Sequence, residues 1–365
     1  MSKGNVKQYF PGGNTCLGFY SLWDSNINDL TKLIILKGGP GTGKSTLLAK
    51  IAQELLNDGW DTEMLWCSSD PKSLDGVIFR DLGLGIVDGT APHTRDPIFP
   101  GVVDKIINLG DYWDERLLQQ NKEQIINLTK ENKALFRSTY HHLAEAKKYH
   151  DTLEQLYVEG MNWSGVDTLT EDLLQQLFGK YTPTEQGKEI HRFAGAITPD
   201  GSVNYLDELL GEAKTRIILK GRAGTGKSTL TRKIAGAASS KGFDVEYYHC
   251  SFDPLSIDNI LIPKLGICFI DGTPPHEKTP GPDDTVLDMF SFMSGSVYGK
   301  NQEQIREVDS NYMSEFNQAF AVLKECKAVH DRLEDYYIKA MDFKAVNVVT
   351  QKLMAEILEY AKSHK

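Results

Sequence analysis

No run of about 18 or more apolar residues occurs in the 365-residue chain, so no segment suits a membrane-spanning helix. Cysteine is scarce. There are five, an odd number, with no C-x-x-C and no spacing of a disulfide framework, so a reduced compartment is expected. Positive charge is in deficit. Lys and Arg number 40 against 50 Asp and Glu, giving a net charge of −10 and a pI near 5.5. A broad basic footprint is therefore absent, and nucleic acid is not expected as a partner. Met1-Ser2-Lys3-Gly4-Asn5 lacks the apolar core of a secretory signal, so a cytoplasmic location is expected.

Glycine, by contrast, is placed with purpose. Gly38-Gly39-Pro40-Gly41-Thr42-Gly43-Lys44-Ser45-Thr46 follows the apolar run Leu33-Ile34-Ile35-Leu36 and precedes Leu47-Leu48-Ala49-Lys50-Ile51-Ala52. The order is strand, glycine loop, helix, and the loop fits G-x-x-x-x-G-K-[ST], the phosphate-binding pattern. A second copy, Gly221-Arg222-Ala223-Gly224-Thr225-Gly226-Lys227-Ser228-Thr229, follows Arg216-Ile217-Ile218-Leu219. A polyphosphate needs many inward N–H groups. Gly38, Gly41 and Gly43 permit the close backbone approach that a Cβ would block. The helix N-terminus beyond them favours negative charge. On this pattern Lys44 and Lys227 reach the β- and γ-phosphates, and Ser45 and Ser228 ligate Mg²⁺. Gly39, Thr42, Thr46, Gly221, Gly224, Thr225, Gly226 and Thr229 complete the two cradles.

The repetition extends along the chain. Phe10 and Phe193, Asp24 and Asp207, Cys67 and Cys250, and Asp70-Pro71 and Asp253-Pro254 all lie 183 positions apart, as do the two lysines. Asp88-Gly89-Thr90-Ala91-Pro92-His93 matches Asp271-Gly272-Thr273-Pro274-Pro275-His276. After a three-residue deletion, Glu123-Gln124-Ile125 aligns with Glu303-Gln304-Ile305 and His150-Asp151 with His330-Asp331. One unit is thus expected at 1–180 and its duplicate at 188–365, with the turn-rich stretch 179–187 as linker.

Each unit reads as α/β. Three strands are expected: the one before the loop, Thr62–Cys67 (Val245–Cys250), and Gly85–Asp88 (Cys268–Asp271), with a short helix starting near Asp75. Strands alternating with helices imply a parallel sheet. Three strands make a small sheet. Either the opening segment adds another, or the halves shield each other. Beyond, from about Asn121 to Gly160, there is no proline and no internal glycine. Ile125, Leu128, Leu135, Leu143, Ala146, Leu153 and Leu156 recur at helical spacing, as do Ile305, Val308, Phe316, Ala319, Leu323, Val329 and Leu333. A helix of about 60 Å at 1.5 Å per residue either breaks in two or projects as a hairpin. These stripes read first as packing faces, and alternatively as an arm toward a protein partner.

Ligands of open parallel sheets lie beyond the carboxyl ends of strands, where Asp88 and Asp271 stand. They fit the aspartate that holds Mg²⁺. The next residue is Gly89 or Gly272, so the glutamate that often orients the attacking water is missing there. Candidate replacements are Asp70 and Asp253, after the second strand, and His93 and His276; each pair can equally be ordinary turn chemistry. Cys67 and Cys250 read as small residues beside the site. Arg222, Arg95 and Lys278 are possible phosphate-facing cations.

With these residues the chain resembles a family of tandem P-loop ATPases from bacteria. The resemblance rests on Phe10-Pro11-Gly12-Gly13-Asn14-Thr15, the two loops, and the C-S-x-D-P and D-G-T-x-P-H segments. It implies two tandem P-loop NTPase domains with parallel sheets, each followed by a long helical segment, and it implies ATP binding and hydrolysis. The expectation is a Mg²⁺-dependent ATPase with two pseudo-symmetric sites driving a conformational switch. A small-molecule kinase and a non-catalytic nucleotide sensor or assembly protein are the alternatives.

Overall fold

A computed structural model describes residues 3–91, 94–211, 213–273 and 280–364. The first half runs β1 (Val6–Tyr9), β2 (Gly12–Thr15), β3 (Gly18–Ser21), α1 (Trp23–Ile27), β4 (Lys32–Lys37), α2 (Lys44–Asn57), β5 (Thr62–Trp66), β6 (Leu74–Phe79), β7 (Leu84–Asp88), β8 (Asp104–Asn108), α3 (Glu115–Gln120), α4 (Lys122–Val158) and α5 (Trp163–Phe178). The second half runs β9 (Glu189–Arg192), β10 (Gly195–Thr198), β11 (Gly201–Asn204), α6 (Leu206–Leu210), β12 (Thr215–Lys220), α7 (Lys227–Ser240), β13 (Val245–His249), β14 (Ile257–Ile262), β15 (Ile267–Asp271), β16 (Thr285–Asp288), α8 (Gly295–Ala340) and α9 (Phe343–Lys362). The shared order is consistent with a duplicated unit.

Each half carries a six-stranded sheet, ordered β1-β5-β6-β7-β4-β8 in the first and β9-β13-β14-β15-β12-β16 in the second. The sheets are dominated by parallel pairs, as expected, but are mixed, with one antiparallel strand in each. β6 runs antiparallel to both β5 and β7, while the other neighbours are parallel. The segment at Asp75 is therefore a strand and not the start of a helix. Its sequence, Leu74-Asp75-Gly76-Val77-Ile78-Phe79, explains why: Gly76 disfavours helix, and β-branched and aromatic residues suit a pleated surface. The strand is buried along its length. A Cβ at Gly76 would meet the Trp23 ring at 3.1 Å.

The opening segment supplies the edge strand β1, and the two sheets also share a face. On β4, Ile34 and Leu36 join the core beneath α2, whereas Leu33 and Ile35 join a core shared with Ile218 and Ile270 of the other half. Burial on both faces accounts for the unbroken apolar run. The halves meet at equivalent positions: Phe10 and Phe193 exchange backbone hydrogen bonds of 3.0 and 3.1 Å.

The helices that follow each sheet in sequence cover the other sheet. α9 places Val346, Leu353, Ile357 and Ala361 in the core of the first half. α5 places Val166, Leu173 and Phe178 in the core of the second. The long helices carry them across. α4 has 37 residues and α8 has 46, about 55 and 69 Å at the standard rise, and each is one continuous helix, which corrects the expectation of a break or a hairpin. They pack antiparallel, with Leu128 against Val329 and Leu333, Leu143 with Leu323 at the centre, and Leu153 and Tyr157 near Ile305. The apolar stripes are packing faces, and each arm is the other's partner.

Candidate functional site

Both glycine loops adopt the same backbone. Gly38, Gly41 and Gly43 have φ of 151°, 67° and 92°, and Gly221, Gly224 and Gly226 have 146°, 76° and 88°. Gly43 and Gly226 are the left-handed N-caps of α2 and α7. A Cβ on Gly38 would come within 2.7 Å of Thr42 Oγ1, and one on Gly221 within 2.6 Å of Thr225 Oγ1, so the turns close only around glycine. Thr42 and Thr225 lock them by donating to the carbonyls of Gly39 (2.9 Å) and Arg222 (2.7 Å). The first N–H groups of α2 and α7 lack carbonyl partners within their helices, so each loop ends in a concave set of donors suited to an anion.

Lys44 and Lys227 fold back over their loops. Lys44 Nζ donates to the carbonyls of Gly38 (3.2 Å) and Gly39 (2.7 Å), and Lys227 Nζ to those of Gly221 (2.6 Å) and Arg222 (2.9 Å). Each ammonium also faces an aspartate at the end of the adjacent strand: Asp88 at 3.5 Å and Asp271 at 3.7 Å. The second oxygen of Asp88 accepts from the amide and hydroxyl of Thr90, and Asp271 from those of Thr273. Ser45 Oγ accepts from Leu74 N at 2.9 Å, and Ser228 Oγ from Ile257 N at 3.2 Å. Thr46 and Thr229 are exposed on the first helical turn. Hydroxyl and carboxylate oxygens are the donor set for a hard dication, so Ser45 with Asp88 and Ser228 with Asp271 suit Mg²⁺. Lys37, just before the loop, donates to the carbonyls of Gly89 and Arg95, and Lys220 to that of Gly272; both fix the turn after the aspartate.

Each loop is roofed by the opposite half. A Cβ on Gly39 would meet the Tyr337 ring at 2.8 Å, and one on Gly41 would meet Glu334 at 2.7 Å and Ile338 at 2.8 Å, all on α8. Gly43 faces Phe343 and Val346 of α9. In the second loop, Gly224 faces Glu154 of α4, and Gly226 faces Trp163 and Val166 of α5. The elbows that place these residues are stitched down by backbone pairs. Asp114 N donates to Ala340 O and Asp342 N to Tyr112 O; Ser294 N donates to Gly160 O and Asn162 N to Phe292 O.

The other candidate residues fall as follows. Asp70 pairs with Lys327 of α8 at 3.4 Å, and Asp253 with Lys147 of α4 at 3.3 Å. Each also accepts a backbone N–H two residues on, from Lys72 and Leu255. His93, His276 and Lys278 lie outside the described residues. Arg95 is turned to Asp24 (2.6 Å) and Asn28 (3.2 Å), and Arg222 is exposed. Desolvation, with Asp75 next, pushes the Cys67 thiol well above its ordinary value; desolvation and then Asp258 do the same to Cys250. Neither is a ready thiolate.

Two acids escaped the sequence reading. Asp75 on β6 is buried, and Gly76 beside it pairs with Val87, which places Asp75 next to Asp88 across the antiparallel ladder. The equivalent Asp258 precedes Asn259, whose side chain accepts from Asp271 N at 3.0 Å. Desolvation, then the Asp271 carboxylate, push Asp258 up to about 8. The signal was present, since both acids also stand 183 positions apart. Only an antiparallel strand there brings them to the site.

No family model matches the chain, and no solved structure shows a significant match. Among curated proteins it is similar to the DNA polymerase alpha-associated DNA helicase A of Saccharomyces cerevisiae, at 22% identity over 184 residues. The match covers 48% of this chain and 24% of that protein, about a quarter of its length.

Proposed function

We propose that the chain binds a nucleoside triphosphate, ATP in the first instance, at each glycine loop and hydrolyses it, the two sites working as a pseudo-symmetric pair that switches the halves between states. One observation carries this reading. In both halves the loop lysine is held on loop carbonyls and within 4 Å of a strand-end aspartate, beside a serine hydroxyl on the first helical turn. Lys44 and Lys227 need only exchange carbonyl partners for phosphate oxygens. Ser45 and Asp88, and Ser228 and Asp271, would hold Mg²⁺. The metal would supply charge neutralisation on the phosphates and polarisation of the terminal phosphoryl group. Loop N–H groups orient the phosphates, and the roof helices limit water. The partial likeness to a helicase supports nucleotide hydrolysis, while the acidic charge of −10 gives no support to a nucleic-acid substrate.

A kinase would draw on Asp70 or Asp253 as base, but both are engaged by arm lysines. A non-catalytic sensor would be consistent with Gly89 and Gly272 after the aspartates. Isothermal titration with Mg–ATP tests the binding. The wild type takes up two nucleotides, and Lys44→Ala and Lys227→Ala each take up one with the fold retained by circular dichroism. Unchanged stoichiometry in both variants overturns the assignment. Phosphate release without an added acceptor separates hydrolysis from transfer.

A further inference from the structure

The roof over each loop comes from the half that does not contain it, and its residues repeat. Glu334 and Tyr337 of α8 stand over Gly41 and Gly39; their equivalents 180 positions earlier are Glu154 and Tyr157 of α4, and Glu154 stands at the second loop. Glu154 lies against Gly224 through its backbone carbonyl and Cγ, with its carboxylate among His150 and Asp151, and the Tyr157 ring packs on Phe290 and Tyr298 of the second half. Phe343 and Trp163 repeat the pattern over Gly43 and Gly226. The backbone bonds at Ala340–Asp342 and Gly160–Asn162 anchor each elbow to the half it roofs. Each arm therefore begins on its own sheet and ends on the other's loop.

We propose that each nucleotide site is completed in trans: Glu334 and Tyr337 are positioning residues of the first loop, and Glu154 and Tyr157 of the second, so that nucleotide at one loop is sensed by the opposite half's arm. This rests on the nucleotide reading above. The physical link is electrostatic and steric. Glu334 packs its Cγ and backbone carbonyl on Gly41, and the negative charge one bond beyond that Cγ opposes the phosphates that enter the loop, so binding must strain or displace the arm end. That displacement runs along a continuous helix to the centre of the arm pair, where Leu143 and Leu323 are both fully buried. At that centre Tyr140 donates to Asn14 (3.1 Å), and Asn14 donates to the carbonyl of Ile197 in the other half (3.0 Å). The arms also tie down Asp70 and Asp253, through Lys327 and Lys147, beside the same sites.

The test measures one site at a time. In the Lys227→Ala background only the first loop binds, and Glu334→Gln there tightens Mg–ATP about three- to tenfold, the scale of one like charge removed at partly screened distance. In the Lys44→Ala background only the second loop binds, and Glu334→Gln changes its affinity by less than about twofold. Glu154→Gln shows the reverse pattern, with a smaller gain because Glu154 is more exposed and its carboxylate lies with His150 and Asp151. In the same Lys44→Ala protein, nucleotide changes the fluorescence of Trp163, and Trp163→Phe abolishes that change. If Glu334→Gln acts on the second loop, or on neither, the trans assignment is overturned while the nucleotide reading stands. If the wild-type protein takes up no nucleotide, both are overturned.

Discussion

Replacing Arg192 by methionine tests how the two halves are held together. Arg192 is 1% exposed and lies between the sheets. Its Nη2 meets Glu63 of the first half at 3.2 Å, and its Nη1 meets Glu246 of the second at 3.2 Å. Nε donates to Asn26 at 2.9 Å, and the guanidinium lies 4.4 Å from the Tyr9 ring centre. Burial opposes ionisation of Glu63, but the Arg192 and Arg80 guanidiniums outweigh it and hold the carboxyl down at about 2. Measured from the ordinary 4.5, that depression is worth about 3 kcal/mol. Methionine keeps the volume and removes the charge. Breaking a buried ion pair by losing one partner costs about 3–5 kcal/mol. Arg80 still faces Glu63, and Lys7 still faces Glu246, so the low end, about 3 kcal/mol, is expected at pH 7. In the wild type, Glu63 stabilises the fold above its unfolded value, and this is lost as pH falls toward about 2. In the variant only the Arg80 guanidinium remains beside Glu63, so the folded value of Glu63 rises toward the ordinary 4.5 and less stability is lost on acidification. The deficit against wild type therefore shrinks as pH falls below about 4.5. Urea unfolding followed by tryptophan fluorescence at pH 7 and about pH 3.5 reads both effects. A loss below about 1 kcal/mol at pH 7, or a deficit that does not change with pH, refutes the argument.

Two other outcomes follow from the same structure. Burial holds His249 down at about 4, and its Nδ1 is taken up by the Pro254 carbonyl at 2.6 Å. The unfolded chain therefore takes the proton first, and stability falls as pH drops from about 6.5 to about 4, by up to about 3 kcal/mol; His249→Gln flattens that slope in a pH series of thermal melts. Ile357 on α9 is fully buried in the core under the first loop, so Ile357→Ala costs about 2–5 kcal/mol, and Trp60 and Trp66, which flank that core, report the loss on urea unfolding.

Much of the molecule was legible in the chain because it is governed locally. A glycine loop between an apolar strand and a helix is specified within about fifteen residues, since the turn depends on φ values that only glycine adopts readily. The aspartates after apolar strands follow from the same short-range logic, and the stripes on the long helices follow from helical period. The misreading at Asp75 shows where local logic fails. Six residues flanked by turns fit a short helix or a strand, and only the vacant place between β5 and β7 selects the strand. The buried acids beside the site were missed for that reason.

By itself the sequence determined two copies of one unit, each with a glycine cradle, a lysine, a hydroxyl and a strand-end acid, and each followed by a long helix with one apolar face. Tertiary structure alone decided which sheet each helix covers. The two sheets present nearly the same surface and the two arms nearly the same stripe, so local preference does not distinguish a helix packed on its own half from one packed on the other. The antiparallel pairing of α4 with α8 makes the choice: a continuous helix of about 55 Å cannot turn back to its origin, and so it delivers its elbow to the loop across the molecule.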